Sequence, residues 1–180
     1  GVYFAPTASV DVGGLVATTY SISNDDFMSG RYTFNRNGST ARVVNEGNLS
    51  ASLGGYIALL APEVQNSGVV VARAGTVAMA AGEQVSLTMA DGKGLSGITT
   101  TASAIASLID NKLAVQAPDG QIILSAVAVN KLQGGVIKNS GSLAATSLSN
   151  QGGKIVLEAD EIDLAATASI DVSGRTRGGT

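Results

Sequence analysis

Residues 45–82 read NEGNLSASLGGYIALLAPEVQNSGVVVARAGTVAMAAG and contain one short design twice. Asn45-Glu46-Gly47 is answered 21 residues later by Asn66-Ser67-Gly68, and Gly55-Tyr56-Ile57-Ala58-Leu59 is answered 20 later by Gly75-Thr76-Val77-Ala78-Met79. Each copy alternates apolar and small residues over a few positions and turns at Asn or Gly. Alternation with a period of two marks strands with one buried face. A period of about twenty marks a solenoid, in which each unit buries its apolar face only by stacking on its neighbours.

Fainter copies extend the pattern in both directions. Ile122-Ile123-Leu124, Ile137-Lys138-Asn139-Ser140-Gly141-Ser142-Leu143 and Gly153-Lys154-Ile155-Val156-Leu157 repeat it later, and Ala8–Val12 and Leu15–Ile22 alternate before it. Superposed, Leu49, Val70 and Leu143 form one column and Ile57, Val77, Ile122 and Ile155 another, with Leu59, Met79, Leu124 and Leu157 beside it. Stacked coils about 4.8 Å apart place like on like. The predicted fold is therefore all-β, a parallel β-helix, right-handed because crossovers between parallel strands are right-handed. Asn45, Asn66 and Asn139 are expected to stack as an amide ladder at one corner. Gly47, Gly68 and Gly141 are expected to take positive φ there. At about 22 residues per coil the chain is expected to hold roughly eight coils.

Several segments break the rhythm. In residues 23–44, Ser23 is placed as a helix N-cap, Asp25 and Asp26 in the first turn and Gly30 at its stop. Arg31–Phe34 and Ser39–Val43 then flank Asn37-Gly38, a hairpin signal. Phe27, Tyr32 and Phe34 are expected to seal this extra-helical hairpin onto the solenoid. Asp91-Gly92-Lys93-Gly94 reads as a turn. Ile105, Leu108 and Ile109 at helical spacing predict a helical insertion over about 99–110, and Ala126–Leu132 reads as a short helix. Residues 1–180 form one β-helix segment, with 91–180 continuing the coils of 1–90, and both ends are expected to be cut from a longer array.

Composition narrows the function classes. Apolar residues make up 44% and charged residues 14% of the 180, which is not the composition of a disordered chain. A net charge of −3 and a pI near 4.8 argue against nucleic acid. No apolar run reaches the length of a membrane helix, so no membrane insertion is expected. Without His or Cys, a His-based triad and thiolate or imidazole metal sites are excluded. Glu158, Asp160, Glu161 and Asp163 cluster but read as a solvated strand face rather than a Ca²⁺ site. No enzyme and no cofactor are expected. Asn37-Gly38-Ser39 and Asn48-Leu49-Ser50 match the glycosylation sequon, a short pattern that recurs by chance.

The run Val43-Val44-Asn45-Glu46-Gly47, Gly54–Val64, Asn66-Ser67-Gly68 and Ala72–Gly82 resembles the filamentous haemagglutinin N-terminal domain family. These are exoproteins of bacterial two-partner secretion. Gly1-Val2 resembles the end of that family's Asn-Pro-Asn-Gly-(Ile/Val) secretion motif, without its Asn-Pro-Asn part. The resemblance covers most of residues 1–90 and implies a right-handed parallel β-helix with extra-helical elements. It implies export by an outer-membrane transporter with POTRA domains, and a secreted or cell-surface location on a Gram-negative bacterium. The expected role is a non-catalytic segment of an adhesin or biofilm matrix fibre, or alternatively the stem of a contact-dependent toxin or haemolysin. Expected partners beyond the transporter are host-cell or matrix carbohydrate or protein, and further β-helix coils of its own chain or end-to-end neighbours. A carbohydrate-active β-helix enzyme is the remaining reading.

Overall fold

The computed structural model describes residues 1–90, 94–132 and 134–180, apart from the Phe27 side chain. The turn expected at Asp91-Gly92-Lys93 lies outside the described residues. Coil 1 holds β1 (Val2–Phe4) and β2 (Ser9–Thr18), followed outside the solenoid by α1 (Asn24–Met28) and β3 (Tyr32–Asn35). Coil 2 holds β4 (Arg42–Asn45) and β5 (Asn48–Leu60). Coil 3 holds β6 (Glu63–Asn66), β7 (Val69–Ala72) and β8 (Thr76–Ala81), and is followed outside by β9 (Gln84–Met89) and β10 (Leu95–Thr100). Coil 4 comprises β11 (Ser107–Asn111), β12 (Ala114–Gln116) and β13 (Gln121–Ala126). Coil 5 comprises β14 (Gly135–Asn139), β15 (Ser142–Ala144) and β16 (Lys154–Ala159). Coil 6 has β17 (Glu161–Leu164) and β18 (Ser169–Asp171).

The strands stack in parallel on three faces. The first is the six-stranded sheet β1-β4-β6-β11-β14-β17. The long strands β2 and β5 bend across the next corner and serve two faces each. Asn48–Ala51 pairs with Val69–Ala72, whereas Tyr56–Leu60 pairs with Thr76–Ala80. The predicted columns hold in the register: Leu49 over Val70, Val70 over Val115, Val115 over Leu143. Likewise Ile57, Val77, Ile122 and Ile155 are consecutive partners. These inward side chains form one apolar column through the molecule. Each Leu, Ile or Val removed from water contributes roughly 1.5–3 kcal/mol.

Six coils form rather than eight, because extra-helical segments consume the length that a bare repeat would have turned into coils. One coil-to-coil step, from Glu63 to Leu108, spans the whole β9–β10 excursion. The expected hairpin at 31–43 does not form. Asn37 (φ 48°) and Gly38 (φ 77°) do make a left-handed turn. The two flanks then part: β3 pairs antiparallel with β9, while β4 joins the first face beside β1. The extra-helical unit is instead a three-stranded antiparallel sheet, β10-β9-β3. Its apolar side (Phe34, Val85, Leu87, Leu95), joined by Tyr20, covers the outward side of β5 and β8 at Ala58, Leu60, Ala78 and Ala80.

No helix forms over 99–110. Ile109 is fully buried in β11, directly over Val64, so its apolar character belongs to a strand column. The helix expected at 126–132 is also absent. Ala126 ends β13, and Ala128 bridges Ser103 in a non-helical loop. α1 is the one helix among the described residues, five residues long, and Ser23 Oγ accepts the Asp26 amide at 3.0 Å as its cap.

Candidate functional site

The corner between the first and second faces carries an unbroken line of buried asparagines. Asn45 Nδ2 donates to Asn66 Oδ1 at 2.9 Å, Asn66 Nδ2 to Asn111 Oδ1 at 2.9 Å, and Asn111 Nδ2 to Asn139 Oδ1 at 2.9 Å. Each is essentially inaccessible. The ladder also holds the chain reversal. Asn45, Asn66 and Asn139 accept through Oδ1 the amides of Gly47, Gly68 and Gly141 at 3.1–3.2 Å. The remaining amide hydrogens of Asn45, Asn66 and Asn111 go to corner carbonyls, those of Gly47, Gly68, Ala114 and Ser142.

Asn111 is the member that the paired Asn-x-Gly motif does not identify, since Leu113 stands where the other copies have Gly. A better signal is an aliphatic residue two places earlier: Val43-Val44-Asn45, Val64-Gln65-Asn66, Ile109-Asp110-Asn111 and Ile137-Lys138-Asn139. The first residue of each triplet points into the core beside the amide. At both ends the pattern changes to Val2-Tyr3-Phe4 and Ile162-Asp163-Leu164. Phe4 lies in register with Asn45, and Leu164 with Asn139, so apolar residues bracket the ladder. Asn139 Nδ2 consequently has no partner.

The three predicted corner glycines do not have positive φ; among the described glycines that is found at Gly30, Gly38, Gly54 and Gly134. They are small because the corners stack tightly. A Cβ on Gly47 would lie 2.6 Å from the carbonyl oxygens of Ala5 and Ala8. One on Gly68 would overlap the Gly47 carbonyl, and one on Gly141 the Leu113 carbonyl. A second glycine column, which the repeat did not reveal as such, lines the opposite corner at Gly55, Gly75, Gly120 and Gly153. In each, an added Cβ would strike the carbonyl oxygen of the glycine before it, or of Gly13 at the top.

Of the two residues carrying the motif remnant, Val2 begins β1 opposite Val43 and packs on the core. Gly1 is exposed and lies over the Arg42 backbone. The structure does not bring this pair to the asparagine ladder, which begins at Asn45.

The polar groups outside the ladder hold loops. Asp160 accepts the Gly135 amide at 2.7 Å and the Ala128 amide at 3.3 Å, and pairs with Lys131 at 3.2 Å. The Gly135 amide, then Lys131, hold its carboxyl below the ordinary range. Glu158 accepts the Ser125 hydroxyl instead. Among the described residues no group of three carboxylates is placed to share a cation. A groove of about 620 Å³ is open and floored by the second glycine column at Gly75, Gly120 and Gly153, with Gln121 and Lys154 beside it. Gln121 Nε2 already donates to Ser96 O and Thr76 Oγ1.

A family model described as the TPS secretion domain matches residues 1–175. Among solved structures, the chain is similar to the HMW1 secretion domain from Haemophilus influenzae, with 25% identity and a TM-score of 0.74. The alignment covers 98% of this chain and 52% of that one, so the chain spans about half the length of its structural relative. No curated protein sequence matches the chain.

Proposed function

Because the chain belongs to the TPS secretion-domain family, the secretion domains of two-partner systems, we propose that it is the export module of a secreted exoprotein of a Gram-negative bacterium. Its partner in this reading is an outer-membrane transporter with periplasmic POTRA domains. The observation that carries the reading is the family match across residues 1–175, nearly the whole β-helix. The family is one of secretion rather than catalysis, and the module works without enzymatic chemistry.

The fold suits passage through a narrow pore. No cysteine is present to cross-link the chain before it crosses. Each coil finishes its hydrogen bonding on the coil before it, so folding proceeds by adding coils to an existing edge. In this role the asparagine ladder fixes the register of each added coil, since an amide out of step would be buried without its partner. Once outside, the stiff coil serves as the base of a surface adhesin or biofilm matrix fibre that presents more distal segments to host-cell or matrix carbohydrate or protein.

The test is export itself. A reporter fused behind residues 1–180, given a signal peptide and co-expressed with the cognate transporter in a Gram-negative host, should reach the medium. Equal retention in the periplasm with and without the transporter would overturn the reading.

A further inference from the structure

Among the described residues, β3 is the one solenoid-covering strand with no ladder partner from the chain before it. Its ladder runs to β9, with Tyr32 opposite Leu87 and Asn35 opposite Gln84, and the sole earlier link is the bridge between Ser21 and Asn35. The fastening of this strand is also distant in sequence. Arg36 is the one charged residue buried among the described residues, at 9% exposure. Its Nε donates to Glu83 Oε2 at 3.0 Å and its backbone amide to Glu83 O at 2.8 Å. The same Glu83 oxygen accepts the Ala104 amide at 3.0 Å and the Ser103 hydroxyl at 3.3 Å. Beside it, Tyr20 Oη donates to Gly82 O at 2.7 Å and accepts the Gly82 amide at 3.2 Å.

One carboxylate oxygen therefore ties together three stretches of chain: the first excursion at Arg36, the exit from coil 3 at Glu83, and the approach to coil 4 at Ser103-Ala104. We infer that residues 19–41 form a strap that closes late, locked by Glu83 only when residues through Ala104 are in place. Coils 2 and 3 need none of this to form. β4, β5, β6, β7 and β8 are fully paired with one another through parallel ladders. Until the strap closes, Ala58, Leu60, Ala78 and Ala80 on the outward side of β5 and β8 lack the cover of Tyr20 and Phe34. An arginine buried without its carboxylate is strongly disfavoured, so the strap does not settle in place before Glu83 arrives. The lock is a property of the fold and stands whether or not the chain is exported.

Pulsed hydrogen exchange during refolding of the intact chain tests the order. Amides of Tyr32–Asn35 should gain protection after those of β5 and β7; protection of β3 at the same time or earlier would overturn the inference. Glu83→Gln keeps the side-chain shape and removes the charge. In the folded variant, exchange at Tyr32–Asn35 and Gln84–Met89 should quicken about tenfold or more, as expected for losing a hydrogen bond between charged groups. β6, β11 and β14 should be unchanged. If Glu83→Gln fails to fold, Arg36→Lys, which retains charge but not the planar fork, should show the same localised acceleration. No change at β3 in the folded variant would equally overturn the lock.

Discussion

A buried amide costs most where its neighbours depend on it from both sides, and Asn66 occupies such a place. Asn66→Ala removes the acceptor for Asn45 Nδ2 and for the Gly68 amide, and the donor to Asn111 Oδ1. Polar groups left buried and unpaired cost about 1–3 kcal/mol each. Partial relaxation leaves an expected loss of roughly 2–4 kcal/mol, or about 5–15 °C in melting temperature for a domain of this size. An unchanged melting temperature by calorimetry would remove the ladder from the stability account. The lower end allows the converse experiment. Leu164 is 49% exposed and sits opposite the unpartnered Asn139 Nδ2. Leu164→Asn forfeits little burial and supplies an acceptor, so it should raise stability by about 1 kcal/mol. Gly75→Ala should do the opposite. Its Cβ would meet the Gly55 backbone, which cannot swing aside as a side chain could. A loss of roughly 2–3 kcal/mol, or failure to fold, is expected from overpacking of this kind. Three of the four ladder asparagines were legible as Asn-x-Gly. Asn111 was hidden by Leu113 and by the long excursion before it, and the steric reason for the glycines lies in contacts between coils that no single copy contains.

Among the elements, the parallel strands were legible and the extra-helical ones were not. Strand alternation is local, and it marked β5, β8, β13 and β16 correctly because each has one face on the core. What β3 pairs with is non-local. Asn37-Gly38 specified a turn but not a partner, and β9 lies about fifty residues downstream. The false helix at 99–110 arose because Ile105, Leu108 and Ile109 matched a helical spacing by coincidence across a loop and the start of β11. The extra-helical sheet also carries an acid sensitivity. Arg36, then the Ala104 amide, hold the Glu83 carboxyl below its ordinary value of 4.5. A depressed folded pKa contributes stability that is fully present above the unfolded value and is lost as pH falls through the folded one. The sheet should therefore loosen below about pH 4.5 and not on the alkaline side. Glu83→Gln should flatten that acid limb when proteolysis of residues 19–41 is followed against pH. An acid limb identical to that of the unmodified chain would place the sensitivity elsewhere. The neighbouring Tyr20 phenol, pushed up to about 12 chiefly by burial, stays neutral throughout this range.

For the whole molecule, the six coils behave as a short one-dimensional stack of roughly 24 Å at the strand spacing. Each coil is held by its neighbours, so a coil with two of them is more stable than a coil with one. The burial of equivalent inward side chains shows how steep the difference is. Ile109 and Ile137 in the first face are fully buried, whereas Ile162 below them is 44% exposed; Val115 and Leu143 are fully buried, whereas Ile170 is 42% exposed. The ladder adds to the same gradient, because Asn66 and Asn111 have amides above and below them while Leu164 has none to offer. At the other end coil 1 keeps Val2, Phe4, Val10 and Leu15 only partly covered. Coils 2 and 3 gain further from the extra-helical sheet, which coils 5 and 6 lack. Native-state hydrogen exchange on residues 1–180 alone should accordingly show protection greatest in β6, β7 and β8, lower in β14 and β15, and least in β17 and β18. With local opening free energies running from near zero at frayed ends to the global value in the core, the spread should span several kcal/mol. Protection that is equal in all six coils would mean the stack opens as one unit, and the ladder would then have to couple the ends as strongly as it couples adjacent coils.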